Sequence, residues 1–150
     1  MEIEKEIKQN VKFSSEYHKM SVNILFTSSW LGVLHAKHLK PFGLTSQQFN
    51  ILRILRGQQP KPATINLLIE RMIDKSSNAS RLVDRLQEKG FVIRCISDTD
   101  KRSVNVQITE KGLDTLKQID GQSDALEESL HAITKDEARE LNRLLDKLRG

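Results

Sequence analysis

Cysteine is nearly absent: Cys95 is the single thiol in 150 residues. No intramolecular disulfide can form, and the natural setting is a reducing cytoplasm. Aromatic residues make up only 5% of the chain, hydrophobic residues 37%, and no proline or glycine precedes Gly32. A mainly helical fold is expected, of single-domain size with a real core. No apolar run marks a signal peptide or a spanning segment. No block of lysines or arginines occurs, which argues against a purely nonspecific polybasic binder. Nor is there a His-Asp/Glu-Ser constellation, a Gly-rich phosphate loop or a metal-hydrolase spacing. The acids and bases are spread like solvated faces, so the expectation is a non-enzymatic protein without a cofactor.

The charge that is present is unevenly placed. The net charge is +4. Residues 1–36 carry four acids and four bases, residues 37–108 thirteen bases against six acids, and residues 109–150 seven bases against ten acids. Positive charge therefore collects in the middle of the chain, as binding to a polyanion requires. In that region Lys75 to Lys89 reads as a short helix. Ala79, Leu82, Val83 and Leu86 make one apolar stripe, while Ser77, Arg81, Asp84, Arg85 and Glu88 face away, with Asn78 and Ser80 on the flanks. An ordinary amphipathic surface helix would look the same. What distinguishes it is the sequel. Phe91 to Ile96 reads as a strand, Val104, Val106 and Ile108 alternate along a second, and the turn between them carries Asp98, Thr99, Asp100, Lys101 and Arg102. A helix joined through Gly90 to a hairpin with a basic tip is the layout of a winged helix, with the helix suited to a major groove and the tip to backbone or minor groove.

The run Leu82-Val83-Asp84-Arg85-Leu86-Gln87-Glu88-Lys89-Gly90-Phe91-Val92-Ile93-Arg94, followed by the Asp98-Thr99-Asp100-Lys101-Arg102 turn and Ile108-Thr109-Glu110-Lys111-Gly112, resembles the MarR family of bacterial transcription regulators. The motif-bearing part covers Thr64 to Gly112; the flanking helices match in pattern and length. The resemblance implies a homodimeric winged-helix DNA-binding protein, usually a repressor, often relieved by a small phenolic or lipophilic ligand or by oxidation.

The remaining chain supplies scaffold and handle. Ile3 to Leu39 reads as a long helix, in one or two pieces, ended by Pro41 and Gly43. Thr45-Ser46-Gln47-Gln48 forms a capping box before Phe49, Leu52 and Leu55, with Gly57 as the stop. Thr64 caps a short helix carrying Leu67, Leu68 and Met72, and Asp74 is placed to cap the next. After Thr109 come Leu113, Leu116 and Ile119, a bend near Gly121, and a second capping box, Thr134 to Glu137. That box opens a helix with Ala138, Leu141, Leu144, Leu145 and Leu148 on one side. Pattern alone leaves this stripe equally suited to its own core or to a dimer; the resemblance favours the dimer. The expected architecture is a single MarR-type domain over 1–150, mainly α with a small β-hairpin wing. Residues from about 1–40 and 110–150 serve as dimerisation helices, and about 45–109 as the winged helix-turn-helix DNA-binding lobe.

Expected DNA contacts are Ser76, Ser77, Asn78, Ser80, Arg81 and Arg85 on the helix, with Lys101 and Arg102 on the wing. Arg94 and Asp100 are expected to support the wing, Asp100 by orienting the Arg102 guanidinium. Phe26, Trp30, His38 and Phe42 are candidates for an effector cleft between dimer arm and DNA-binding lobe. His35 and His38 share a helical face, which raises a metal-sensing member of the family. Cys95 is expected to point inward beside Ile93 as an inert thiol, while oxidant-sensing members hold their reactive cysteine near the N-terminal helix. The partners expected are a double-stranded palindromic operator and a second copy of the chain, with no membrane. The competing readings are a winged-helix module docking an acidic protein, and a constitutive or activating regulator.

Overall fold

The computed structural model describes residues 2–97, 100 and 102–150. Asp98, Thr99 and Lys101 lie outside the described residues. The chain packs as two units, Met1–Ser46 and Gln47–Gly150.

In the first unit the expected long N-terminal helix is broken into α1 (Ile3–Glu6) and α2 (Glu16–Leu39). The break has local causes. Lys8 takes a left-handed φ of 52°, and the Ser15 hydroxyl accepts the His18 N–H to start α2 afresh. A serine N-cap ahead of Glu16 is a stop-and-restart signal that apolar periodicity hides. Ile3 is buried, the Glu4 carboxylate pairs with Lys19 at 2.7 Å, and Phe13 meets the His18 ring edge-on. Lys40–Phe42 forms a 3-10 turn ending at Gly43.

The second unit is built around α3 (Ser46–Gln58), whose Ile51, Leu52 and Leu55 are buried. Next come β1 (Ala63–Thr64), α4 (Ile65–Arg71), α5 (Ala79–Glu88), β2 (Val92–Ile96) and β3 (Val104–Ile108). The sheet is antiparallel, in the order β1-β3-β2. Its third strand, β1, was not foreseen: two residues before a helix cap carry no period. Ala63 pairs with Val106 and Thr64 with Asn105, and the Thr64 hydroxyl also accepts the Leu67 N–H to cap α4. Polar side chains of α3 hold the connections. Asn50 accepts the Ile73 N–H at 2.9 Å, Arg71 donates to Gln58, and Arg56 pairs with Asp120 at 2.6 Å.

Three helices follow: α6 (Glu110–Asp120), α7 (Ser123–Glu128) and α8 (Lys135–Arg149). The chain breaks at Gly121, and the Thr134–Glu137 capping box opens α8. The glycine at the start of α6 has a steric cause. A Cβ on Gly112 would lie 2.6 Å from both the Phe91 carbonyl and the Ile108 side chain, so only a bare Cα lets α6 approach the base of the hairpin. Gly112→Ala is expected to destabilise the protein by about 1–3 kcal/mol. Urea unfolding would show a lower midpoint at unchanged slope, and an unchanged midpoint would refute the close approach.

Candidate nucleic-acid interface

The expected reading helix is shorter at its start than sequence suggested: it begins at Ala79, not Lys75. Asp74 does not cap it. Its carboxylate instead accepts the Ser76 N–H at 3.0 Å and the Ser76 hydroxyl at 2.6 Å, while its carbonyl accepts the Ser77 N–H. This tight side-chain turn keeps residues 74–77 out of the helix. The cap is Asn78, whose side chain accepts the Arg81 N–H at 3.0 Å. Ser76 and Ser77 therefore precede α5, Asn78 sits at its boundary, and Ser80, Arg81 and Arg85 lie on it. Asparagine ahead of Ala-Ser-Arg was the signal available for this cap.

The buried stripe is as expected, with Ala79, Val83 and Leu86 inside. Arg81 and Arg85 are exposed one turn apart and have no ion-pair partner among the described residues. The acid between them is neutralised. Asp84 pairs with the Arg94 guanidinium of β2 at 2.8 Å, and the same nitrogen donates to the Ser80 carbonyl and hydroxyl. Sequence assigned Arg94 to the wing alone; the structure ties it to the helix. No short-range pattern could have linked Asp84 to a strand residue ten positions on.

At the far end of α5, Gly90 takes φ 77°, a left-handed turn that ends the helix as glycine allows. Lys111 donates to the Lys89 carbonyl at 2.6 Å and lies over the Phe91 ring.

In the wing, Val92, Arg94 and Ile96 pair with Ile108, Val106 and Val104 and so share one face. Ile93 and Cys95 occupy the opposite face, which corrects the inward placement of the thiol. Ile93 is exposed and Cys95 half-buried, because the covered side is the one that Arg94 turns to α5. At the tip, Asp100 accepts the Arg102 backbone N–H at 2.9 Å, so it shapes the turn through the main chain and not through the guanidinium. Arg102 is exposed. Lys101, expected as a phosphate contact, lies outside the described residues.

Of the expected effector residues, all in the first unit, Phe26 and Trp30 stand one turn apart on α2 and are 38% and 44% exposed. His38 and Phe42 are half-buried. His35 and His38 belong to no group of three or more metal-ligating side chains among the described residues. Among those residues, no helix is long and apolar enough to cross a membrane.

The model of the MarR family matches residues 44–104, the segment that carries α3 to the wing. Over that segment the chain matches the MarR family. Two curated relatives are HTH-type transcriptional regulators. MhqR of Bacillus subtilis is 34% identical over 85 residues, 55% of this chain and 56% of that protein. MgrA of Staphylococcus aureus is 29% identical over 112 residues, 75% and 74% of the two chains. The match to the first thus spans little more than half its length. Among solved structures, a MarR-like transcription regulator from Bacillus cereus superposes with a TM-score of 0.80 at 28% identity, over 89% of this chain and 96% of that one. A mutant MarR of E. coli complexed with operator DNA gives 0.80 at 26%, over 92% and 99%. An organohalide-sensing regulator bound to 2,4-dichlorophenol gives 0.81 at 25%, over 94% and 86%. The mostly helical winged helix-turn-helix with its small sheet is the architecture of these MarR structures.

The Asp74 turn makes a pH prediction. Its carboxyl is held below the ordinary range, first by the Ser76 hydroxyl, then by the Ser76 N–H and the Gln47 amide. A depressed folded value means that the ionised turn contributes fully above the unfolded value and loses that contribution as pH falls through the folded one. The stability advantage over Asp74→Asn should therefore be constant near neutrality and shrink below about pH 4. Denaturation midpoints of both proteins across pH check this; a gap that persists to the lowest pH would refute it.

Proposed function

We propose that this MarR-family regulator is a sequence-specific DNA-binding repressor that acts in the cytoplasm as a homodimer on a palindromic operator and is released by a small phenolic or lipophilic effector. It carries out no catalysis. The observation that carries the reading is the outer face of α5, where two exposed arginines have no ion-pair partner among the described residues while the intervening acid is neutralised by Arg94. α5 would enter a major groove and Arg102 would reach backbone or minor groove beside it, with half-sites about one helical turn apart. Ser76, Ser77, Asn78, Ser80, Arg81 and Arg85, with Lys101 and Arg102 of the wing, are the proposed contacts. The operator complex of the E. coli relative and the dichlorophenol complex of the organohalide sensor support the two halves of the proposal.

The domain layout proposed is one MarR-type domain, with a DNA-binding lobe over about 45–109 and dimerisation helices on either side. Leu141, Leu144 and Leu148 of α8 are 49%, 48% and 53% exposed, an apolar side suited to a second copy. Leu144→Asp is expected to shift the protein towards monomer in sedimentation velocity. A dimer unaffected by it would move the interface elsewhere. For the effector, Phe26, Trp30, His38 and Phe42 remain the proposed lining.

The test of the DNA reading is fluorescence anisotropy on the duplex upstream of the protein's own gene, against a scrambled duplex, over a salt series. Specific binding at least ~10³-fold tighter than to the scramble is expected. Equal and weak binding to both would count against a sequence-specific regulator of that site. Arg102→Ala should fold normally, since the turn bond from Arg102 to Asp100 uses the backbone N–H, yet bind more weakly with a salt slope reduced by about one. Arg81→Ala should change preference among operator variants by about 1–3 kcal/mol at the contacted base pair. A uniform loss across all variants would make Arg81 a phosphate contact.

A further inference from the structure

Three acceptors converge on one terminal nitrogen of Arg94: the Asp84 carboxylate at 2.8 Å, the Ser80 carbonyl at 3.1 Å and the Ser80 hydroxyl at 3.2 Å. That nitrogen has two protons, so the three acceptors share them in a bifurcated arrangement. Ser80 and Asp84 are four residues apart, one turn of α5. The guanidinium therefore spans the first turn of the helix and fastens it to β2, where register puts Arg94 opposite Val106 on the covered face. The hairpin that carries Arg102 and the helix that carries Arg81 and Arg85 are in this way held at a fixed mutual angle.

The serine contact has a further chemical consequence. A hydroxyl that accepts from a guanidinium keeps its own proton for another acceptor. Ser80 is exposed, so that proton is open to a ligand. As a donor the hydroxyl suits a phosphate oxygen or an acceptor edge such as guanine O6 and N7 or thymine O4.

We propose that Arg94 is a positioning residue for DNA recognition, which sets the first turn of α5 against the wing and fixes the Ser80 hydroxyl as a donor towards the duplex. The inference rests on the DNA-binding reading above. Its test uses the full chain and Arg94→Gln, Arg94→Lys, Ser80→Ala and the Ser80→Ala/Arg94→Gln double variant. Binding is measured on a duplex enriched from a random library by the wild-type protein and on a scramble of it, over a salt series. Amide hydrogen exchange of α5 is followed without DNA, and thermal melts establish that each variant folds.

Arg94→Gln is expected to weaken binding to the enriched duplex about tenfold or more, with affinity for the scramble and the salt slope unchanged. Exchange in the first turn of α5 should quicken while the turn held by Lys111 does not. Arg94→Lys should recover part of the loss, and the double variant should bind more tightly than the two single losses multiplied together. A slope reduced by about one with equal loss on both duplexes would make Arg94 a phosphate contact and overturn the proposal. Faster exchange with undiminished discrimination would reduce it to a structural tie and overturn it equally. If Arg94→Gln fails to fold, Arg94→Lys and Ser80→Ala decide: undiminished discrimination in both overturns the proposal. A wild-type protein that enriches no sequence at all defeats the DNA-binding reading itself, and the exchange data then still report whether the tie exists.

Discussion

The carbonyls at the end of α5 are the constraint on which the rest of the winged-helix lobe depends. A helix leaves its last carbonyls without intrahelical partners, and here neighbouring segments supply them. Leu86 is answered by the Phe91 N–H at 2.9 Å and Gln87 by the Gly90 N–H at 2.9 Å. The Lys89 carbonyl takes the Lys111 ammonium at 2.6 Å, the Gly90 carbonyl takes the Thr109 hydroxyl at 2.7 Å, and the Phe91 carbonyl takes the Thr109 N–H at 3.0 Å. The first residues of α6 thus complete the end of α5. The Thr109 hydroxyl also accepts the Gly112 N–H to cap α6, and Gly112, lacking a side chain, lets that helix come close to Phe91 and Ile108. The helix end, the wing base and the start of α6 form one rigid object, so the spacing of Thr109-Glu110-Lys111-Gly112 from Gly90 follows from hydrogen-bond satisfaction.

The opposite end of α5 is built against its own stability. Helix N-termini favour acids, and α8 obeys: Asp136 and Glu137 stand in its first turn, Lys147 and Arg149 in its last. In α5 the first turn has no acid and Arg81 stands there, where the helix dipole disfavours a cation by a few tenths of a kcal/mol to about 1 kcal/mol. Asn78 offsets part of that cost by about 1 kcal/mol as a cap. An arrangement that concentrates positive potential at one exposed helix end, with the nearby acid engaged by Arg94, is strained for a free protein and relieved by a polyanion. Local rules tend to be broken where function demands it.

Much of this was legible in the sequence because the features concerned are local. The stripe Ala79, Val83, Leu86, the caps at Thr64 and Thr134, the helix start after Thr109, the break at Gly121 and the wing strands each follow from side-chain period or from a short polar signal. What was missed depends on chain segments meeting in space. β1 exists only because β3 lies beside it. Cys95 faces away from the core because the strand register puts Val92 and Arg94 on the inner face, so the residues between them turn outward. The start of α5 was placed too early because Asp74 looked like a cap, whereas Ser76 and Ser77 gave it nearer donors. For the site, the residue types on the reading face were visible in the sequence; the tie between Arg94, Ser80 and Asp84 was not, since three residues on two elements share no period.

The two long helices outside the lobe carry the remaining question of why the chain is built this way. α2 has 24 residues and buries only Leu39; α8 buries none of its 15. Both begin on a side-chain cap, Ser15 and Thr134, which supports the first turn locally. Their apolar residues are another matter: Leu25, Val33, Leu141, Leu144 and Leu148 are exposed in a single copy, and removing what remains exposed of each from water is worth about 1 kcal/mol. In the proposed dimer a second copy would remove many of them at once, by symmetry. The same symmetry would fix the distance between two copies of α5. The apolar faces and the proposed reading face would then be parts of one device: the first would set a spacing, and the second would turn that spacing into a requirement on the duplex.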